Sequence, residues 1–477
     1  MNTRALKIVR RLALADTRAL LAEGGDARIA LESGRNEYGC RPYPDPDLAA
    51  LGSSTASTIS ESGYAAAEAL REKILANPDE AGGEFDRIRD ELSRLCGISD
   101  LEGLEIVFAA SGTDAHLIAS QIVKPACAVM VDGTETGRGV PSALSGRHFS
   151  TRIAFCGKVM LGMPLSEAMA VMNVRIRAPD GMPRDCGEID MDVVACVESV
   201  VEKGGKVLLV LADVTKTGMI APSLSCAIEL RKKFPASVEV LVDACQFRMS
   251  PSTLRAYLEQ GFMVALTGSK FLTGPTFSGA LLMPQAPRRE IPKTLKSYSS
   301  RYEWPEGMRS DLLGDDINFG LLLRWEAALA ELRAFCNVPE EKAGKFLLEF
   351  AQEIGQRLEE DARFESLPVP PLDRRVLVPA PGWDSIQTIF PFMLKRGGLL
   401  LGLEETKEIH AQLQEGRSGI DAIAGLRYSL GQPVSCAGKG ALRLCASARL
   451  VVEGALNGDA VINRALAALD RVAMLLD

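Results

Sequence analysis

Two stretches decide how this chain folds: Val238-Glu-Val-Leu-Val-Asp243-Ala-Cys-Gln246 and Phe262-Met-Val-Ala-Leu-Thr267-Gly-Ser-Lys270, the second continued by Phe271-Leu-Thr-Gly274-Pro275. Each is a short apolar, β-branched run that stops abruptly on polar residues. A helical interval, Pro251–Gln260, separates them. Runs of this kind read as strands buried on both faces of a parallel sheet. In such sheets ligands collect beyond the carboxyl ends of the strands, so the polar residues at those ends are the candidates for chemistry.

The same pattern extends in both directions. Strands are expected at Leu104–Ala109, Ala126–Val131, Lys206–Ala212, Val238–Val242, Phe262–Leu266 and Ser278–Met283. Helices are expected between several of them, at Thr113–Val123, Met191–Glu202 and Ser223–Phe234. Helical periodicity also covers Tyr64–Leu95, and a long helical region runs from Asn318 to about Glu360. Strands at Ser385–Met393 and Ala441–Val452 and a final amphipathic helix, Asp459–Leu476, complete the chain. The fold class is α/β: a mostly parallel sheet with helices on both faces, followed by a smaller α+β C-terminal domain. Residues 1–60 read as an arm and helices that pack on the small domain or on a partner subunit. Residues 61–330 read as the large domain and 331–477 as the small one.

Bulk properties narrow the function. The 477 residues are 47% hydrophobic and 24% charged, an ordinary globular composition, and the net charge of −8 leaves no footprint for nucleic acid or an anionic membrane. Apolar runs such as Val207–Ala212 fall far short of the ~20 residues that span a bilayer. The basic, apolar start Met1–Leu14 is interrupted by Asp16 and Arg18, so it reads as an amphipathic helix and not a leader. Eleven scattered cysteines without a Cys-x-x-Cys pair, and three histidines without ligand spacing, fit a reducing, cytoplasmic setting with no disulfide scaffold and no metal.

Three strand ends carry the chemistry. Ala110-Ser111-Gly112-Thr113 opens a helix, and backbone N–H groups there, with a close-approaching Gly and flanking hydroxyls, form an anion cradle. Read alone, it is a helix capped by Thr113. Asp243 ends an apolar strand, where a carboxylate needs a cationic partner, unless it caps the Pro251 helix or lies in the loop. Lys270, between an apolar strand and a Gly-Pro loop, can be desolvated and act as a nucleophile; read alone, it is a surface lysine.

Together these residues resemble the fold-type-I pyridoxal-phosphate (PLP) enzymes, specifically the class V aminotransferase and cysteine desulfurase group. That group has a Ser/Gly/Thr phosphate turn, an Asp-x-x-Gln after one central strand and a lysine after the next. Here the matching residues are Ser111-Gly112-Thr113, Asp243 with Gln246, and Thr267 with Lys270, in the same order. The resemblance implies PLP as cofactor, bound to Lys270 as a Schiff base, with Asp243 on the ring nitrogen and Gln246 and Thr215 on the phenolic oxygen. Ser111, Gly112, Thr113, Thr267 and Ser269 are implied to hold the phosphate. Arg443 matches the arginine that grips a substrate carboxylate, a task suited to a planar guanidinium fork, with Arg449 and Arg41 next in line.

The resemblance further implies a homodimer, for which Gly34–Ser57 is the segment able to reach across. It implies an enzyme acting on an amino-acid-type substrate by transamination, with elimination, replacement or C–C bond formation as the alternatives. The sequence departs from the family pattern where a ring-stacking histidine belongs. Glu135, Thr136, His148, Tyr38 and Tyr43 are the possible substitutes, while His116 and His410 read as helix-surface or packing residues. A desulfurase would use a mobile cysteine, for which Cys436, in the loop-like Gly431–Gly440, is the candidate. A nucleotide site on Gly133-x-x-x-Gly137-x-Gly139 lacks dinucleotide spacing and a phosphate-loop lysine. A catalytically retired, ligand-binding protein is disfavoured by the Asp243–Lys270 pair.

Overall fold

The computed structural model describes residues 3–155, 157–284, 291–380, 382–415 and 426–477. Its large sheet has seven strands: β1 (Glu105–Ala109), β2 (Cys127–Val131), β3 (Ala170–Val174), β4 (Val207–Ala212), β5 (Val238–Ala244), β6 (Met263–Thr267) and β7 (Gly279–Met283). Their order is β1-β7-β6-β5-β4-β2-β3, and β7 alone runs antiparallel to its neighbours. β4, β5, β6 and β7 are buried along their whole length apart from one half-buried residue, Glu239 of β5, which accounts for their unbroken apolar sequence.

Six of the seven strands stand where the sequence places them. The seventh, β3, escapes a reading by hydrophobicity because it is an edge strand whose residues are mostly half-buried or exposed. Register then aligns the chemistry, with Asp243 on β5 facing Ala212 on β4 and Ala265 on β6. The carboxyl ends of the central strands therefore open onto one region.

A second, antiparallel sheet follows in the order β8-β9-β11-β10, from Phe364–Ser366 (β8), Ile389–Arg396 (β9), Gly431–Cys436 (β10) and Lys439–Cys445 (β11). Two expectations are corrected here. The stretch Gly431–Gly440 is not a loose loop but a hairpin, turned by Ala437 and Gly438, both with positive φ (50° and 74°), as a two-residue hairpin turn needs. The strand through Arg443 ends at Cys445, because Ser447 caps a helical stretch, Ala448–Leu476, which is broken at Asn457 (φ −151°, ψ 84°) so that the expected final helix follows as its second part. Ser447 accepts from the Leu450 N–H, so the apolar run past Ala446 turns helical. The long region after Asn318 is likewise two helices, Phe319–Cys336 and Glu340–Glu360, with Pro339 ending the interval between them.

The helix Phe319–Cys336 packs against Glu61–Ala76 and under the sheet, where Trp325 donates to the Gly279 carbonyl at 3.0 Å. Its Arg324 is fully buried and donates to the carbonyls of Phe277, Leu21, Glu23 and Gly24. One guanidinium thereby ties the N-terminal segment to the loop that follows Lys270. Burial pushes Arg324 down to about 9, yet four carbonyl acceptors satisfy its donors. The N-terminal segment also adds a short strand, Leu48–Ala50, parallel to Arg427–Ser429. Among the described residues no helix is long and apolar enough to cross a membrane.

Candidate active site

Beyond the ends of β1, β2, β4, β5 and β6 lies a cavity of two lobes that share Thr55, Gly137, Asp243 and Lys270. One lobe, about 70 Å³, reaches the N-terminus of the helix Gly112–Val123; the other, about 90 Å³, reaches β11 of the second sheet.

The first lobe is built as an anion site. Ser111, not Thr113, caps the helix, accepting from the Asp114 N–H at 3.2 Å. Gly112 is required there, because a Cβ would meet Cys245 Sγ at 2.5 Å and Thr267 Cγ2 at 3.2 Å. Thr113, Thr267 and Ser269 add hydroxyls to the lining, and the Ser269 hydroxyl donates to Thr267 Oγ1 at 3.3 Å. Sequence reasoning missed Arg28, which lines the same lobe from the N-terminal segment. Asp26 holds it through three hydrogen bonds, at 3.0, 3.0 and 2.5 Å.

Asp114 sits behind the helix start, accepting from the Ser111 hydroxyl at 2.5 Å; burial first, and nearby Asp26 second, push it up to about 7. A carboxyl raised in the folded state adds stability below its ordinary value near 3.9, and that stability is lost as pH rises toward 7. The melting temperature should therefore fall between about pH 4 and pH 7. By scanning calorimetry, Asp114→Asn should flatten this slope, leaving the share of Glu303, which burial pushes up to about 8. An unchanged slope in the variant would remove Asp114 from the account.

Where the lobes meet, Asp243 is buried and its Oδ2 lies 3.4 Å from His116 Nε2. The sequence reading of His116 as a packing or surface residue is corrected: it is buried inside the site. Its Nδ1–H donates to the Gly112 carbonyl at 2.7 Å, so a neutral ring would aim a lone pair at the carboxylate. The geometry therefore favours an imidazolium. Burial works against that charge, but Asp243 and the Gly112 carbonyl outweigh it and raise the pKa. Burial likewise opposes the Asp243 charge, and His116 with Lys270 more than offsets it, holding the carboxyl well below the usual range. Asp243 Oδ1 also accepts from the Cys245 N–H at 3.2 Å, and Ser250, not Asp243, caps the Pro251 helix.

Lys270 follows β6 in the left-handed region, at φ 56°. For a residue with a Cβ this costs on the order of 1–2 kcal/mol. The loop holds it there through the Thr273 N–H to Lys270 carbonyl bond (3.1 Å) and the Gly268 N–H to Ser278 carbonyl bond (2.7 Å). Its ammonium donates no hydrogen bond to any described residue, and Lys270 lines both lobes.

Gln246, Thr215, Glu135, Thr136, Lys216 and Arg443 line the second lobe. Gln246 accepts from the Ser53 hydroxyl at 3.4 Å, and Thr215 Oγ1 accepts from the Met219 N–H at 3.1 Å. Arg443 is buried, donates to the carbonyls of Gln432 (2.6 Å) and Lys216 (3.3 Å), and has no acidic partner among the described residues. Arg449 is committed elsewhere, to Glu331 and the carbonyls of Thr58 and Thr273. Of the proposed ring-stacking residues, only Glu135 and Thr136 line the cavity. His148 stacks on Tyr298 and shares a 2.7 Å hydrogen bond with it; Tyr43 lies under Arg18 and Arg41, and Tyr38 beside Phe277. His410 packs against the Leu430 carbonyl. Cys436 is buried, and burial pushes its thiol up.

The cavity thus brings together a helix N-terminus flanked by hydroxyls, a buried carboxylate 3.4 Å from a buried imidazole, and the Lys270 side chain. The fold carrying it is that of the fold-type-I PLP enzymes. Solved structures of similar fold include the cysteine desulfurase CsdA from Escherichia coli (TM-score 0.54, 15% identity, covering 90% of this chain and 95% of that one). The serine palmitoyltransferase of S. paucimobilis is similar at TM-score 0.53 and 14% identity over 90% and 87% of the two chains. The tryptophan decarboxylase of Catharanthus roseus is similar at TM-score 0.51 and 16% identity over 91% and 83%. No protein-family model matches the sequence, and no curated protein matches it.

Proposed function

We propose that this chain is a PLP-dependent enzyme acting at the amino group and α-carbon of an amino-acid-type substrate, with transamination as its reaction. One observation carries the reading: Asp243, paired with His116, and Lys270 line a single cavity that ends on the N-terminus of the helix Gly112–Val123. The donor set fits the cofactor. Ser111, Gly112, Thr113, Thr267 and Ser269 would hold the phosphate, Asp243 would keep the ring nitrogen protonated, and Gln246 and Thr215 would serve the phenolic oxygen. Bound there, PLP supplies an electron-withdrawing ring conjugated to the substrate nitrogen. Lys270 would hold the cofactor, and its amine would move the proton at the substrate α-carbon. Arg443 orients the substrate through its carboxylate. Residues 61–330 then form the cofactor-binding domain, 331–477 the small domain and 1–60 the arm.

Similar folds serve a desulfurase, an acyltransferase and a decarboxylase, so the reaction is tested directly. With an amino acid and a 2-oxo acid acceptor, transamination yields a new oxo acid and a new amino acid one for one, without ammonia. Ammonia released in the absence of acceptor would assign elimination instead. A desulfurase reading is disfavoured, because Cys436 is buried in a hairpin and is not among the residues lining the cavity.

Arg443→Lys is expected to weaken substrate affinity well over tenfold, since a charge-assisted pair with a buried carboxylate is worth roughly 2–5 kcal/mol and an ammonium does not reproduce the fork. A normal Michaelis constant with a lowered melting temperature would make Arg443 structural. We further propose a cytoplasmic homodimer with the arm at its interface. Light scattering during assay should give twice the chain mass, and a fully active monomer would contradict this.

A further inference from the structure

The second lobe holds more positive charge than one substrate carboxylate needs. Besides Arg443, it is lined by Lys216, whose Nζ donates to the Thr134 carbonyl at 3.0 Å and has no acidic partner among the described residues. The two cations are neighbours, since Arg443 Nη1 donates to the Lys216 carbonyl at 3.3 Å. The acid beside them, Glu135, is already occupied. It accepts from Arg177 Nε at 3.1 Å, from the Thr217 hydroxyl at 2.9 and 2.8 Å, and from the Thr217 N–H at 3.2 Å. Arg443 Nε is buried with no hydrogen-bond partner. The helix N-terminus that receives the cofactor's phosphate lines the other lobe, so that phosphate does not neutralise this pair. A buried guanidinium beside a half-buried ammonium, with Glu135 already engaged by Arg177 and Thr217 and no ion pair of their own among the described residues, is costly until a ligand supplies charge.

We propose that the substrate is an amino acid whose side chain carries a second anionic group, a carboxylate or a phosphate, with Lys216 binding that group while Arg443 binds the α-carboxylate. This rests on the amino-acid reading above and narrows its substrate class. Burial first, then Arg443 and Lys270, pushes Lys216 down to about 7, so an arriving anion also secures its proton. Lys216 comes from the turn after β4, on the large sheet, and Arg443 from β11 of the second. An acidic substrate therefore engages both sheets at once.

Calorimetric titration of the PLP-loaded protein tests this with three near-isosteric pairs: L-aspartate and L-asparagine, L-glutamate and L-glutamine, O-phospho-L-serine and L-serine. The acidic member of at least one pair should bind about tenfold tighter or better, as a charge-assisted contact gives. In Lys216→Gln, which can keep the bond to the Thr134 carbonyl, that ratio should fall to within about twofold. Equal or tighter binding of the neutral member in all three pairs overturns the proposal, and this comparison stands even where the variant is unstable. A variant that weakens both members equally also overturns it, because Lys216 would then share the α-carboxylate. Failure of all six compounds to bind would instead sink the amino-acid reading on which the proposal rests.

Discussion

Asp243→Ala is expected to keep PLP bound through its phosphate and Lys270, yet to cut turnover about a hundredfold or more. The magnitude is that of removing a preorganised electrostatic partner from a buried site. The ring nitrogen would lose its counter-charge, and His116 would be left buried with no anion opposite it. Breaking a buried pair of this kind costs at most roughly 3–5 kcal/mol, the full figure applying only while the surviving charge stays desolvated. His116 is then expected to shed its proton, burial being the largest influence on it once Asp243 is gone.

The stability readout has a definite sign. His116 is raised in the folded state, so its share is present at low pH and lost as pH rises through that raised value. Asp243 is depressed, so its share is present above the ordinary carboxylate value and lost as pH falls. The melting-temperature gap between wild type and variant should therefore be widest between those limits and narrow on either side. Unchanged turnover in Asp243→Ala would remove the residue from the mechanism.

Lys270→Ala carries the largest expected effect, a loss of about 10³-fold or more, because one side chain supplies both the covalent attachment and the proton transfer. The cofactor should become removable by dialysis, since only non-covalent contacts would remain. The cofactor-free variant should melt only modestly below wild type, losing the attraction of Lys270 for Asp243. The Lys270 ammonium makes no hydrogen bond to a described residue, and alanine meets the same positive φ. Retained activity would move the covalent role to another lysine. A large loss of stability without cofactor would mean that the lysine braces the loop.

Much of this site was legible in the sequence because strand ends are legible. Asp243, Thr267 and Lys270 each terminate an apolar run, and a parallel sheet brings such ends together whatever their separation in the chain. Ser111-Gly112-Thr113 was legible for the same reason, although the cap proved to be Ser111. His116 was not, because a histidine one turn into a buried helix is indistinguishable by spacing from a packing residue. Its place in the site depends on β5 bringing the Asp243 carboxylate to 3.4 Å from its Nε2.

Arg28 and Arg324 were hidden in another way. Both act through contacts between distant segments, and their acceptors are mostly backbone carbonyls or an acid two residues away, which leave no pattern in composition. Lys216 directly follows Thr215, which the resemblance points to, but its lack of an ion-pair partner is a property of the folded cavity alone. The hairpin through Cys436 was misread because its glycines and serine resemble a loop. The positive φ values at Ala437 and Gly438 make it a turn.

The central claim is that Lys270 carries PLP, and a single measurement addresses it. The protein, purified with PLP present, is treated with borohydride, digested, and searched by mass spectrometry for the pyridoxyl adduct. The account predicts a yellow protein that loses its visible absorption on reduction and bears the adduct on Lys270. A colourless protein without adduct, or an adduct on Lys216 or Lys232 with Lys270 unmodified, would contradict it.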